Sequence, residues 1–271
     1  MKACYAIIGF GEAGSTFAAA SDIADVIRAF DIATVEIATD EWAAKESGSG
    51  GKAGVEHCKS NADAIRDASN IFSLVTPDQA LEAAKVTAES ISAGAMYCDM
   101  NSVAPETKRA AEQVIAAADG HYVDVAIMAP VDPARLNVPL LVSGLQIVQA
   151  MAALDAFGFT DVIAVEGGVG LASAIKMIRS VMVKGTEALT AEMVLAARCA
   201  GVEEVVLRSL GPEWPEKAVY NLERMHRHGN RRAAEMEEVA KTLEALGVEP
   251  LMTRTTIAMQ RRMAAEKGLQ S

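Results

Sequence analysis

Six residues near the start of the chain, Gly9-Phe10-Gly11-Glu12-Ala13-Gly14, spell G-x-G-x-x-G. Residues 3–8 ahead of them form a short apolar run, and a helical pattern follows, so a strand enters this turn and a helix leaves it. In that context each glycine serves a bound dinucleotide. Gly9 permits the tight turn, Gly11 lets a pyrophosphate approach the main chain, and Gly14 lets the helix pack on the strand. Helix amides then face the phosphates. Dinucleotide binding is expected of Gly9, Phe10, Gly11, Glu12, Ala13 and Gly14, with a merely structural glycine turn as the alternative. A second strand is expected at 34–38. Asp40 follows it, and a carboxylate there would hydrogen-bond the adenosine ribose diol and repel a 2′-phosphate. The nearest base is Lys45, so NAD is expected in preference to NADP. Val75 and Thr76 end another expected strand, and ligands gather at the carboxyl ends of strands in open α/β sheets. Both are cofactor-contact candidates, and Thr76-Pro77 equally suits a helix start.

Residues 226–232, HRHGNRR, are the densest basic cluster in a chain of formal net charge −11. An arginine there could grip a carboxylate bidentately; a solvated helix start is the other reading. His226 and His228, two apart, point away from each other on a helix and have no third ligand nearby. No metal site is expected.

These residues require a scaffold, and the patterning supplies one. Short apolar runs at 3–8, 34–38, 70–75, 95–98, 123–127, 139–142 and 162–165 alternate with helical stretches such as 79–91 and 106–118. That alternation predicts a parallel sheet with covered faces. After Gly167-Gly168 the pattern becomes wholly helical: 169–200, 203–210, 215–226, 231–246 and 253–267. The expected fold is α/β, a Rossmann-type dinucleotide-binding domain over 1–166, followed by an all-helical domain for substrate and dimerisation over 167–271.

The chain has 271 residues, 51% hydrophobic and 23% charged, as a globular protein does. Its 36 acidic against 25 basic residues argue against a nucleic-acid partner. The apolar runs are too short and too interrupted to span a bilayer, and the N-terminal run reads as a strand rather than a signal peptide. Four cysteines without CxxC spacing suggest reduced thiols and a cytoplasmic protein.

Four stretches, in order, resemble the β-hydroxyacid dehydrogenase family, which includes 3-hydroxyisobutyrate, tartronate semialdehyde and 6-phosphogluconate enzymes. The resemblance covers nearly the whole chain. After GFGEAG comes Asp99-Met100-Asn101-Ser102-Val103-Ala104-Pro105, similar to the substrate loop D-x-S-T-x-x-P. Asp124-Val125-Ala126-Ile127-Met128-Ala129-Pro130 stands in the place of D-A-P-V-S-G-G. Gly168-Val169-Gly170-Leu171-Ala172-Ser173-Ala174-Ile175-Lys176 is similar to G-x-G-x-x-x-K. Residues 228–236 also resemble a run in uncharacterised phosphogluconate dehydrogenase-like proteins.

The resemblance implies that Lys176 is the catalytic acid/base. A lysine on a buried helix has its pKa lowered by desolvation, and Ile175, Met177 and Ile178 flank it. Lys184, on the same helix, is expected to be a surface lysine without a role. The resemblance further implies substrate contacts at Asn101, Ser102, Met128, Ser180 and Arg231, and it places Val75 and Thr76 beside the nicotinamide. Ser180 replaces an asparagine and Arg231 a lysine. Met128-Ala129-Pro130 replaces a serine-glycine-glycine clamp and suggests a more apolar pocket. The expected activity is hydride transfer between nicotinamide and a small-molecule alcohol or its carbonyl product, a hydroxyacid with an apolar portion, by a homodimer. The alternatives are a non-catalytic dinucleotide-binding scaffold or sensor and a decarboxylating phosphogluconate-type dehydrogenase. Members of the latter have a much longer C-terminal domain.

Overall fold

The computed structural model describes residues 4–24, 26–35 and 54–266. They fall into two compact units, Met1–Lys176 and Met177–Ser271.

In the first unit the described strands are β1 (Tyr5–Ile8), β2 (Ile27–Phe30), β3 (Val55–His57), β4 (Asn70–Ser73), β5 (Met96–Asp99), β6 (His121–Ile127), β7 (Leu140–Ser143) and β8 (Val162–Ala164). They form one sheet in the order β3-β2-β1-β4-β5-β6-β7-β8. Pairing is parallel except between β6 and β7, which is antiparallel. Around the sheet lie α1 (Glu12–Ala20), the turn α2 (Ile32–Val35), α3 (Asn61–Ile65), α4 (Ala80–Ala88), α5 (Pro105–Ala117), the turn α6 (Val131–Ala134) and α7 (Ile147–Phe157).

Successive side chains of a strand point to opposite faces, and both faces here are covered. Tyr5 and Ile7 of β1 join a core with Phe72, Val123 and Phe157. Ala6 and Ile8 join the other, with Ile71, Tyr97 and Ile115. That is why β1 is buried along its whole length and reads as an unbroken apolar run. Tyr5, Phe72 and Phe157 meet at ring-centroid distances of 4.9 to 5.7 Å.

The second strand differs from expectation. It is Ile27–Phe30, and residues 34 and 35 lie in the turn α2. Asp40 and Lys45 lie outside the described residues. The stretch 34–38 has the stronger run of β-branched residues, yet the strand that pairs with β1 is Ile27–Phe30, with Ala6 opposite Arg28 and Ile8 opposite Phe30.

The long helix α8 (Leu171–Ala200) begins in the first unit. Asp124 at the sheet accepts hydrogen bonds from the amides of Gly170 and Ser173. The division therefore falls ten residues later than the expected 166/167 boundary, and Lys176 sits with the sheet.

The second unit contains α9 (Glu203–Leu210), α10 (Trp214–Ala245) and α11 (Leu251–Glu266). The expected break near Gly229 does not occur: α10 is continuous for 32 residues. Gly229 serves a close helix approach instead, since a Cβ there would lie 2.4 Å from the Gln260 carbonyl oxygen. Inside this unit Glu187, which is buried, accepts hydrogen bonds from Arg232 Nε and Nη2, with Gln260 Nε2 at 3.1 Å and Arg224 Nε at 3.7 Å.

Candidate active site

β1 ends in the glycine turn, and the geometry explains each glycine. Gly9 has φ +90°, and a Cβ there would lie 2.5 Å from the Leu74 carbonyl oxygen. Only glycine accepts that conformation and that contact. A Cβ on Gly14 would lie 2.5 Å from the Gly9 carbonyl oxygen, so α1 packs directly on the turn. Gly11 is different. It is exposed and precedes the first turn of α1, and a Cβ on it meets nothing within 4 Å. Two glycines thus shape the turn and the third leaves an open approach to a helix N-terminus, as a pyrophosphate requires. The residues present fit a dinucleotide.

This asymmetry yields a prediction. Gly11→Ala should leave thermal stability within about 0.5 kcal/mol, the usual range for an exposed site, and should weaken dinucleotide binding. Melting curves and calorimetric titration read the two quantities separately. Unchanged affinity would remove Gly11 from the cofactor site.

A carboxylate that sequence reasoning missed stands at this turn. Asp31 follows β2 directly, and its Oδ2 accepts the Phe10 amide at 2.7 Å while Oδ1 accepts the Ala33 amide at 2.9 Å. It comes twenty residues after Gly11, the spacing at which the ribose-binding acid of this motif falls. That spacing was the available signal. Phe10 is buried and meets the His57 ring edge-on at 5.2 Å; Glu12 is exposed and Ala13 half-buried.

The parallel strands β1, β4, β5 and β6 all present their carboxyl ends at one edge of the sheet. Val75 and Thr76 follow β4 there, Asn101 and Ser102 follow β5, and Met128 follows β6. Asn101 is buried and bonded within the protein. Its Oδ1 accepts the Val75 amide at 2.7 Å and its Nδ2 donates to Ser73 Oγ at 2.9 Å. It ties the β4 and β5 ends together, and a direct bond to substrate would compete with those contacts. Thr76 is exposed and makes no side-chain cap bond to the turn that starts at Pro77. Met128 is half-buried.

Lys176 and Ser102 do come together: Lys176 Nζ donates to Ser102 Oγ at 2.6 Å. Of the three apolar neighbours in sequence, only Met177 is buried. Ile175 is 41% exposed and Ile178 49% exposed, because adjacent residues on a helix do not share a face.

In the second unit, Ser180 is buried one turn beyond Lys176 along α8, and Arg231 is half-exposed with its Nε 4.0 Å from Glu235. Arg232 is enclosed with Glu187 and is unavailable to a substrate. Lys184 corrects another expectation. It is buried and ion-paired with Glu235 at 2.7 Å, not a surface lysine. Among the described residues no group of three or more His, Cys, Asp or Glu could hold a metal ion, and no helix is long and apolar enough to cross a membrane.

Comparison with known proteins adds to this geometry. Residues 5–157 match the family model described as the NAD binding domain of 6-phosphogluconate dehydrogenase, and residues 197–263 match a domain of unknown function, DUF1932. A conserved hypothetical protein from Sinorhizobium meliloti is 36% identical, covering 98% of this chain and 89% of its own, with a TM-score of 0.74. An uncharacterized 28.5 kDa protein of Methanothermus fervidus is 26% identical over 92% of this chain and 94% of its own. The Mycobacterium tuberculosis 3-hydroxyisobutyrate dehydrogenase, 14% identical, shares the fold with a TM-score of 0.74 over 98% of this chain and 95% of its own.

Proposed function

Because this chain belongs to the family of the NAD binding domain of 6-phosphogluconate dehydrogenase, we propose that its Ser102–Lys176 pair performs the proton transfer of an alcohol dehydrogenation. The protein is a dinucleotide-dependent oxidoreductase. The observation that carries the proposal is the 2.6 Å contact of Lys176 Nζ with Ser102 Oγ at the sheet edge where the glycine turn opens. The dinucleotide, when bound, supplies the hydride acceptor or donor. Neutral Lys176 takes the proton from the substrate hydroxyl oxygen as the alcohol is oxidised. As an ammonium it returns that proton to the carbonyl oxygen in the reverse direction. Ser102 orients the amine and offers a hydroxyl to the same substrate oxygen.

NAD is the cofactor favoured by Asp31, which takes over the role expected of Asp40. A carboxylate at the end of β2 accepts the ribose diol and repels a 2′-phosphate. NAD(H) should therefore bind more tightly than NADP(H), and Asp31→Ser should narrow the difference. Calorimetric titration with the four nucleotides tests this, and tighter NADP(H) binding to the wild type would refute it.

The substrate we favour is a hydroxyacid with an apolar portion. Met128 can pack on such a group, Pro130 lacks the amide donor that a glycine clamp would offer, and Arg231 has the fork geometry for a carboxylate. A second copy of the chain belongs to the same proposal: Ile178, Met182 and Leu189 form an exposed apolar stripe at helical spacing on α8. The four free cysteines support a reducing, cytoplasmic setting.

A further inference from the structure

Two segments deliver the Ser102–Lys176 contact: residues 99–102 at the end of β5, and residues 170–176 where α8 starts. Beneath them lies a cluster of charges that the chemistry above does not use. Lys108 of α5 is fully buried. Its ammonium donates to the Asp99 carbonyl oxygen at 2.6 Å and to Asp99 Oδ1 at 2.8 Å, and it lies 3.3 Å from Asp124 Oδ1.

Each carboxylate then grips one of the two segments. Asp99 Oδ1 accepts the Asn101 amide at 2.9 Å, and Oδ2 accepts the Tyr122 hydroxyl at 2.7 Å. Burial and the adjoining carboxylates raise the Tyr122 pKa well above its ordinary value, so this hydroxyl stays a donor. Asp124 Oδ2 accepts the Gly170 and Ser173 amides at 3.1 and 3.0 Å and the Ser143 hydroxyl at 3.2 Å. Asp124 Oδ1 accepts the Ser173 hydroxyl at 2.6 Å, and Ser143 Oγ accepts the Ala172 amide at 3.0 Å.

The balance of charge is informative. Two buried carboxylates face one ammonium, and the excess negative charge lies at the positive end of a 30-residue helix. A helix start needs only a serine or an aspartate to cap it. Here the cap is joined through a buried ammonium to the loop that carries Ser102, and burying such a charge is costly unless it is fully paired. We propose that Lys108 and Asp124 are positioning residues: one ammonium bridges the Asp99 carbonyl and the carboxylate that caps α8, and so sets the distance between Ser102 Oγ and Lys176 Nζ. The catalytic side of this proposal rests on the acid/base reading of Lys176; the geometric side does not.

Asp124→Asn keeps the volume, removes the charge facing Lys108 and turns an NH₂ toward donors. In protein labelled at lysine Cε, the Lys176 resonance is assigned by its loss in Lys176→Met. In Asp124→Asn it should move to the position it takes in Ser102→Ala, and the Gly170, Ala172 and Ser173 amides should exchange faster. Turnover with the best hydroxyacid should fall on the order of 10²-fold, the usual cost of a displacement of about 1 Å at reacting groups, with NAD affinity retained. In the Lys176→Met background the same substitution should cause no further loss. Ser173→Ala is the milder variant that should show the same changes in smaller measure if Asp124→Asn fails to fold. A Lys176 resonance unmoved in the folded variants, or equal losses of turnover in both backgrounds, would overturn the proposal. If Lys176→Met itself keeps full turnover, the acid/base reading falls, and the resonance comparison still decides whether Asp124 positions Lys176.

Discussion

Lys176→Met should lower turnover by about 10²–10⁴-fold, the scale of a general acid/base group, and leave NAD binding as it is in the wild type. Methionine keeps the length and the apolar stem but has no proton to exchange and no donor for Ser102 Oγ, which Lys176 Nζ meets at 2.6 Å. The dinucleotide turn is built from Gly9, Gly11 and Gly14 at the end of β1, whereas Lys176 Nζ meets Ser102 after β5. The effect should therefore fall on kcat rather than on cofactor affinity. Lys184→Met is an informative companion. Lys184 is buried against Glu235, so its loss should lower stability and leave the turnover of the folded fraction unchanged. Steady-state kinetics beside thermal melting separates the two, and an unaltered kcat in Lys176→Met would remove Lys176 from the mechanism.

The second large effect is on stability. Arg232→Ala should destabilise the protein by about 3 kcal/mol, the lower end of the range for breaking a buried ion pair. Both Arg232 and Glu187 are almost wholly enclosed, and truncation leaves the Glu187 carboxylate without its two-pronged partner. Gln260 and Arg224 remain near it, which is why the lower end is expected. Arg231→Ala should behave in the opposite way. Its side chain is 49% exposed and its ion pair with Glu235 is long, at 4.0 Å, so stability should hardly change while KM for an acidic substrate rises. Denaturant unfolding of both variants, with kinetics on Arg231→Ala, checks the contrast. A stable Arg232→Ala protein with a raised KM would show that the two arginines have exchanged roles.

The glycine motif was legible because its requirement is steric: a Cβ at Gly9 or Gly14 meets main-chain oxygen at 2.5 Å, and no other residue type satisfies it. The alternation of strand and helix was legible because both sheet faces are buried. Asp31 was not, because the strand ahead of it is only four residues long and carries Arg28, while 34–38 offered a cleaner run of β-branched residues. The twenty-residue interval from Gly11 is the signal that points to Asp31. The helical pattern reads as two stretches, 215–226 and 231–246, on either side of Gly229; the reason for this glycine lies on another helix, at the Gln260 carbonyl. Lys176 is legible through its motif, but its neighbours in sequence say little of its setting, since they lie on other faces of α8: Met177 is buried, and Ile175 and Ile178 are exposed. The buried partners of Lys108, Lys184 and Arg232 come from distant elements, and no local pattern announces them.

The most direct test of the central claim is the substrate-dependent change in nicotinamide absorbance. The wild-type chain would be assayed with NAD and NADP against 3-hydroxyisobutyrate, tartronate semialdehyde with the reduced nucleotides, and aromatic or branched hydroxyacids such as 3-phenyllactate. Reduction of NAD by a hydroxyacid with an apolar portion, faster than any reaction of the two small substrates and lost in Lys176→Met, is the expected result. Nucleotide binding without any substrate-dependent change across the panel, or efficient turnover of tartronate semialdehyde that Lys176→Met does not impair, would contradict it.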